Sequence, residues 1–394
     1  MLPDYYEFSC PVKIVSGFKA LDNIPFEMKH LGVKRAMVIT DSGVEKAGLI
    51  KLVKKAFSHS HCEIGHIFNE TPSDSSFDVV NHVAGLFRET GCDSLLAVGG
   101  GSVIDTAKGV NIIVSENSSD IARFIGNECL ESPQKPLLAI PTTTGTGSEA
   151  SYVAVITDTK TDTKMFFLSY HLFPRVAILD PRMTQTCPAS IIAATAMDAL
   201  SHAMEAYIGL QKNPMSDAYA ISAINLIREH LLEAVKESKS GNHRFGLANA
   251  ACMAGIAFSS SMPGVVHTLG QAVGAVCHLH HGAAMAIFLP IGLEYNLAKR
   301  ATEIGELLLP LGGRDIYANT PQESRHTKVI ELVKDLRLSL SQLTKLPISL
   351  SQAGVDRERF EDISKYAVGD GTILYNAEDI SYDDILQLLE KAYD

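Results

Sequence analysis

The first 180 residues alternate short apolar runs with amphipathic stretches. Residues 34–40 form an apolar run that stops at Asp41-Ser-Gly43, and residues 44–57 then carry a helical period. Residues 62–68 predict a second strand and residues 75–90 an amphipathic helix. Ser94-Leu-Leu-Ala-Val98 is continuously apolar, as in a strand buried on both faces, and ends in Gly99-Gly100-Gly101-Ser102. Leu137-Leu-Ala-Ile140 is another such run, followed by Pro141-Thr-Thr-Thr-Gly145-Thr-Gly147-Ser148-Glu149. Residues 151–157 and 164–167, joined by a polar turn at 158–162, predict a hairpin, and residues 176–179 a last strand. This alternation predicts an α/β domain with a mostly parallel sheet over residues 1–184, with Pro181 and Pro188 punctuating its end. Beyond it the period is helical, at roughly 189–209, 215–237, 244–262, 265–277, 284–299, 300–309, 325–344, 356–368 and 382–393. Residues 185–394 therefore read as an all-α domain.

Composition narrows the function classes. The 394 residues carry 46% hydrophobic and 20% charged side chains, an ordinary globular balance. A net charge of −11 argues against a nucleic-acid partner, because phosphate binding needs a Lys/Arg surplus. The seven Cys are dispersed, with no Cys-x-x-Cys pair, which fits reduced thiols in the cytoplasm. No basic-then-apolar leader opens the chain and no run of 18 apolar residues occurs, so no membrane association is expected.

Two sets of residues carry candidate chemistry. In open parallel sheets, ligands bind beyond the carboxyl ends of the strands. The loops 41–43, 99–102 and 142–148 fall there. Glycines let main chain approach a ligand, and a helix N-terminus behind them attracts an anion, so 99–102 suggests a pyrophosphate site. A ligand-free turn accounts for the same spacing. Ser102 is positioned to cap the next helix, with Asp105 as its capping-box partner. In the helical half, Asp198 and His202 are four residues apart and share a helix face. With His267 and His281 they make a carboxylate-plus-imidazole set suited to one divalent ion, Fe(II) or Zn. One unbroken helix would hold His267 and His281 about 21 Å apart. The set therefore requires a break at Gly270, Gly274 or within 277–282. Without that break, the histidines at 278–281 read as a solvated loop.

Over essentially its full length the chain resembles the iron-containing (group III) alcohol dehydrogenases. The resemblance rests on Gly99-Gly-Gly-Ser102-Val-Ile-Asp105-Thr-Ala-Lys108, on residues 141–149, and on Met197-Asp198-Ala-Leu-Ser-His202-Ala-Met-Glu205. Met253-Ala-Gly255-Ile-Ala-Phe258-Ser and the stretch 264–282 add to it. It implies a Rossmann-like α/β domain followed by an all-α domain, the dehydroquinate synthase-like architecture, with a metal in the cleft between them. It also implies NAD(P)-dependent interconversion of a small alcohol and an aldehyde or ketone, and a homodimer paired through the N-terminal segment from Tyr5 to Val15.

The resemblance assigns the metal to Asp198, His202, His267 and His281, and the pyrophosphate to Gly99, Gly100, Gly101 and Ser102. Thr142, Thr143, Thr146 and Ser148 become cofactor contacts, with Lys164 and Leu179 nearby on a looser match whose other reading is an ordinary strand Lys and Leu. Asp41 ends the first predicted strand, where a carboxylate accepts ribose hydroxyls and repels a 2′-phosphate. That predicts NAD over NADP; a plain turn Asp is the alternative. Where members commonly keep a second His near the nicotinamide, this chain has Gln271, which cannot take up a proton near neutral pH. His278 and His280 are candidate substitutes. Two further readings stay open: the same fold acting on an anionic or phosphorylated substrate, and, given Gln271, a non-catalytic nucleotide-binding relative.

Overall fold

The structure is a computed structural model and describes residues 3–161, 163–237 and 241–394. The chain forms two compact units: Ser9–Cys187, and Pro188–Asp394 together with Met1–Phe8.

In the α/β unit, the strands are β1 (Lys13–Ser16), β2 (Arg35–Ile39), β3 (Glu63–Phe68), β4 (Ser94–Gly99), β5 (Gly126–Asn127), β6 (Leu137–Pro141), β7 (Val153–Asp158), β8 (Thr163–Leu168) and β9 (Val176–Leu179). Its helices are α1 (Ile24–His30), α2 (Ser42–Lys46), α3 (Leu49–Ala56), α4 (Phe77–Glu89) and α5 (Gly101–Ser115). Six strands form one parallel sheet in the order β1-β9-β6-β4-β2-β3. Strand side chains alternate between faces. Met37, Ile39, Leu95 and Ala97 accordingly join one core with α4 and α5. Val38, Leu96, Val98 and Ile140 join a second core with α1 and α3. Burial on both faces is why these strands read as unbroken apolar runs.

The chain leaves β2 for β3 on one side and returns to β4 on the other. The strand order thus reverses at the β2–β4 boundary, the place where such sheets open a ligand crevice. β7 and β8 pair antiparallel as the expected hairpin, while Asp162 of its turn lies outside the described residues.

The helical unit contains α6 (Ala189–Ile208), α7 (Pro214–Lys236), α8 (Gly241–Ser261), α9 (Val265–Cys277), α10 (His281–Tyr295), α11 (Leu297–Glu306), α12 (Leu308–Asn319), α13 (Arg325–Thr344), α14 (Phe360–Val368) and α15 (Tyr382–Lys391). α6 is buried almost all round and packs against α7, α8 and α10. An apolar helix lacking a polar face belongs in such a core. Among the described residues no single helix is long and apolar enough to cross a membrane.

Three expectations need correction. Residues 44–57 are two helices, because Gly48 adopts a left-handed φ of 79°. Residues 310–319, which fall between the helices expected at 300–309 and 325–344, belong to α12, with Gly313 at φ 80° as its kink. Ser102 does not cap α5: the helix starts at Gly101 with Gly100 as N-cap, and no side chain caps it. Within the chain, Ile14 and Val15 pair with Ala177 and Ile178, which makes β1 an edge strand of the six-stranded sheet.

Candidate metal centre and dinucleotide loops

On α6, Asp198, His202 and Glu205 occupy i, i+4 and i+7, one face of the helix. All three are buried. α9 brings His267 to the same face. It ends at Cys277, where His278 takes a left-handed φ of 56°, and α10 restarts at His281. The required break is therefore the 278–280 segment, while Gly270 and Gly274 stay helical. Gly282 seats the start of α10 directly on α6. A Cβ there would lie 2.3 Å from the Ala194 carbonyl oxygen, so only glycine allows this approach.

Three imidazoles surround one carboxylate oxygen. Asp198 Oδ1 lies 3.5 Å from His202 Nδ1, 3.5 Å from His267 Nε2 and 3.4 Å from His281 Nε2. One donor atom from each of Asp198, His267 and His281 falls within 4.8 Å of the other two. His202 joins them through Asp198, its ring stacked between His267 at 4.2 Å and Phe258 at 4.3 Å. The His281 side chain is 36% exposed, so the group is open on that side.

The residues fit a divalent ion. Asp198 Oδ1, His202 Nδ1 and His267 Nε2 are buried and have no hydrogen-bond partner. Each such atom costs about 1–3 kcal/mol, and a shared cation satisfies all three. Ligand bonds of about 2.1 Å place tetrahedral ligand atoms about 3.4 Å apart, the spacing found around Asp198 Oδ1.

Charges at Asp198 and His202 agree with that reading, while His267 carries a proton that a bound ion would displace. Burial pushes His202 down to about 3, leaving a neutral donor. Burial alone would raise the Asp198 carboxyl, but His202, His281 and His267 outweigh it and hold it well below the usual range. Burial likewise opposes a charged His267, yet the Glu205 carboxylate, followed by Asp198, lifts it to about 9. Glu205 Oε2 meets His267 Nδ1 directly, and Oε1 accepts from the amides of Gly264 (3.0 Å) and Val266 (2.8 Å). Sequence reasoning assigned Glu205 no role, although its i+7 spacing from Asp198 was visible.

In the α/β unit, the loops after β2, β4 and β6 follow three adjacent strands. The Thr142 amide donates to the Gly99 carbonyl at 3.1 Å. A Cβ on Gly101 would lie 2.8 Å from the Thr146 methyl, and one on Gly100 3.3 Å from Thr143 Oγ1, so glycines let the two loops meet. Ser148 Oγ faces inward, donating to Asp105 Oδ1 at 2.7 Å and accepting from Lys108 Nζ at 3.0 Å. Asp105, expected in a capping box, instead receives Ser148 and the Val155 amide at 3.1 Å.

Asp41 Oδ1 caps α2, accepting from the amides of Gly43 at 2.7 Å and Val44 at 2.9 Å. Lys164 pairs with Asp74 at 3.3 Å, and Leu179 is buried on β9, its carbonyl accepting from Gly17. Gln271 stands one turn after His267 on α9, with Oε1 buried and unpartnered. His278 and His280 are exposed.

A doubly wound parallel sheet with glycine and threonine loops at its carboxyl edge, and a buried carboxylate ringed by imidazoles, define a class: metal-dependent dehydrogenases that use a dinucleotide. Comparison with known proteins narrows it. Residues 11–181 match the family model described as iron-containing alcohol dehydrogenase, and residues 192–393 match the C-terminal domain of the Fe-containing alcohol dehydrogenase family. The NAD-dependent methanol dehydrogenase of Bacillus methanolicus is 32% identical, over 98% of this chain and 99% of that protein. The sulfoacetaldehyde reductase of Bilophila wadsworthia is 30% identical over 97% of each. A crystal structure of 1,3-propanediol oxidoreductase superposes with a TM-score of 0.94 at 30% identity, covering 99% of this chain and 100% of that one.

The chain belongs to the iron-containing alcohol dehydrogenase family. It has that family's dehydroquinate synthase-like fold and is an oxidoreductase of the alcohol dehydrogenase type.

Proposed function

We propose that the protein exchanges a hydride between NAD(H) and a small alcohol or aldehyde, with one divalent ion held by Asp198, His202, His267 and His281. Fe(II) is the first choice of ion and Zn its competitor, because the same donors suit both. The observation that carries the reading is the group of Asp198, His267 and His281, each offering a donor atom within 4.8 Å of the others, with Asp198 Oδ1 and His267 Nε2 buried and without a hydrogen-bond partner. When bound, the ion supplies Lewis-acid polarisation of the substrate oxygen and the dinucleotide supplies hydride chemistry.

The chain's own residues do the rest. Gly99, Gly100, Gly101 and Ser102 present main chain and the α5 N-terminus to a pyrophosphate. Thr142, Thr143 and Thr146 line the adjoining loop, and Ser148 braces it from behind. Lys164 and Leu179 are carried as cofactor neighbours on the family match alone. The seven free thiols suit the cytoplasm, and the edge strand β1 suits pairing with a second copy.

Metal analysis combined with oxidation of NADH and NADPH against neutral and anionic aldehydes tests this reading. Turnover with neutral aldehydes and about one ion per chain are expected. Turnover confined to anionic aldehydes would replace the substrate assignment, and none with any substrate would leave a binding protein. The two cap bonds use Asp41 Oδ1, which leaves Oδ2 to accept a ribose hydroxyl in this reading. Asp41→Gly is therefore expected to lower the NAD/NADP specificity ratio, besides a cap loss of up to about 1 kcal/mol. An unchanged ratio would make Asp41 a cap only.

Gln271 positions substrate or nicotinamide through its partnerless amide oxygen and holds no proton there. Gln271→His is expected to add a titration to the pH–rate profile at roughly pH 6–7 before local shifts, and Gln271→Ala to add none. A histidine variant whose profile overlays the wild type would place residue 271 away from the reacting groups.

A further inference from the structure

Glu205 has three partners and no freedom of role. Its Oε1 accepts two main-chain amides, from Gly264 and Val266, at the first turn of α9. The intervening Val265 amide goes to Asn376 Oδ1 at 3.1 Å. Its Oε2 faces His267 Nδ1. A carboxylate only accepts hydrogen bonds, so His267 Nδ1 must donate. In the neutral ring that a bound ion requires, the other nitrogen, Nε2, is then the bare one, and it is the atom aimed at Asp198 Oδ1.

We propose that Glu205 is a positioning residue that fixes the His267 tautomer, delivering the Nε2 lone pair to the metal and locking α9 to α6 in the same contact. The inference rests on the metal reading above. A histidine ligand is commonly oriented by a partner on its second nitrogen. Here the same carboxylate also caps the helix that carries the ligand. Ligand tautomer and α9 register are therefore coupled through one side chain.

Glutamine at this position has the right size and the wrong donor sense. With its oxygen on the two amides, its NH2 would donate to His267 Nδ1 and force the ring proton onto Nε2, the ligating atom. Turned over, the NH2 would oppose two main-chain N–H groups. Aspartate keeps the acceptor-only chemistry at a shorter reach.

The test uses full-length zinc-loaded protein: wild type, Glu205→Gln, Glu205→Asp and Asp198→Ala. Chelator competition should show zinc binding weakened about 10–100-fold in Glu205→Gln, with affinity partly recovered in Glu205→Asp. In 15N-histidine-labelled wild type, the His267 ring should carry its proton on Nδ1, assigned by its loss in His267→Asn. Wild-type affinity in a folded Glu205→Gln, or an unprotonated Nδ1 in the wild type, would overturn the proposal. The wild-type spectrum decides the matter even if the glutamine variant does not fold. Undiminished zinc binding in Asp198→Ala would sink the metal site itself. Loss there alongside unchanged binding in Glu205→Gln would sink only the role of Glu205.

Discussion

His281→Ala is expected to reduce turnover by ~10^3-fold or more and to leave well under one ion per chain. Lewis-acid stabilisation of a developing alkoxide is worth several kcal/mol, and each 1.36 kcal/mol is a factor of ten in rate. Among the candidate ligands, His281 gives the cleanest test of this. Its side chain is 36% exposed, so truncation opens no sealed cavity. The start of α10 is fixed by Gly282 against the Ala194 carbonyl and does not depend on the imidazole.

His267→Ala would mix two effects. It removes a ligand and also leaves the buried Glu205 carboxylate without its ring partner, a loss of the kind that costs about 3–5 kcal/mol. Metal content by atomic spectroscopy, thermal unfolding and steady-state rates separate the two cases. Full occupancy and an ordinary rate in His281→Ala would remove that residue from the site.

The parts legible in the sequence were those with local causes. The central strands showed as unbroken apolar runs because both faces of the sheet are covered, as the division of Leu95 and Leu96 between two cores demonstrates. The Asp198–His202 spacing is a property of one helix and needed no partner to be seen. Misreadings arose where the cause was distant or subtle. Ser102 and Asp105 have capping-box spacing, but Asp105 is engaged by Ser148 and Val155, more than forty residues on. Glu205 matters through amides about sixty residues later, which no local pattern reveals. Gly48 and Gly313 misled in opposite directions. The first splits a stretch read as one helix, and the second only kinks a helix where none was expected. Packing rather than propensity decides whether a helix resumes beyond a left-handed glycine.

Lys108→Met is expected to destabilise the protein by about 3–5 kcal/mol near pH 7.5, the usual effect of removing one partner from a buried charge cluster. The Lys108 side chain is fully buried. Its ammonium reaches Ser148 Oγ at 3.0 Å, Ser151 carbonyl at 2.9 Å, Ser151 Oγ at 3.1 Å and Val153 carbonyl at 2.7 Å. Methionine fills similar volume but strips these acceptors of their donor and removes the Lys108 charge that acts on both Asp105 and Glu149.

The effect has a definite pH dependence. Burial lowers Lys108 from 10.5 to about 8, against the pull of Asp105 and Glu149. Burial raises Glu149 from 4.5 to about 7, against its own amide and Lys108. Between pH 4.5 and 7 the folded chain holds the Glu149 proton that the unfolded chain has lost, so this group's contribution falls as pH rises through 7. Between pH 8 and 10.5 the unfolded chain holds the Lys108 proton that the folded chain has lost, so that contribution grows with pH.

The lysine and Glu149 are both charged when folded only between about pH 7 and 8, and above pH 8 the wild type is relieved of the cost of a buried ammonium. The stability difference between wild type and Lys108→Met should therefore be smallest at pH 5 and grow through pH 7.5 to pH 9.5. Because Lys108 and Ser148 brace the threonine loop against α5, dinucleotide affinity should fall in the same variant. Urea unfolding at the three pH values and NADH titration at pH 7.5 are the measurements. A deficit independent of pH would show that the lysine acts through its packed chain and its neutral hydrogen bonds, with no part for its charge.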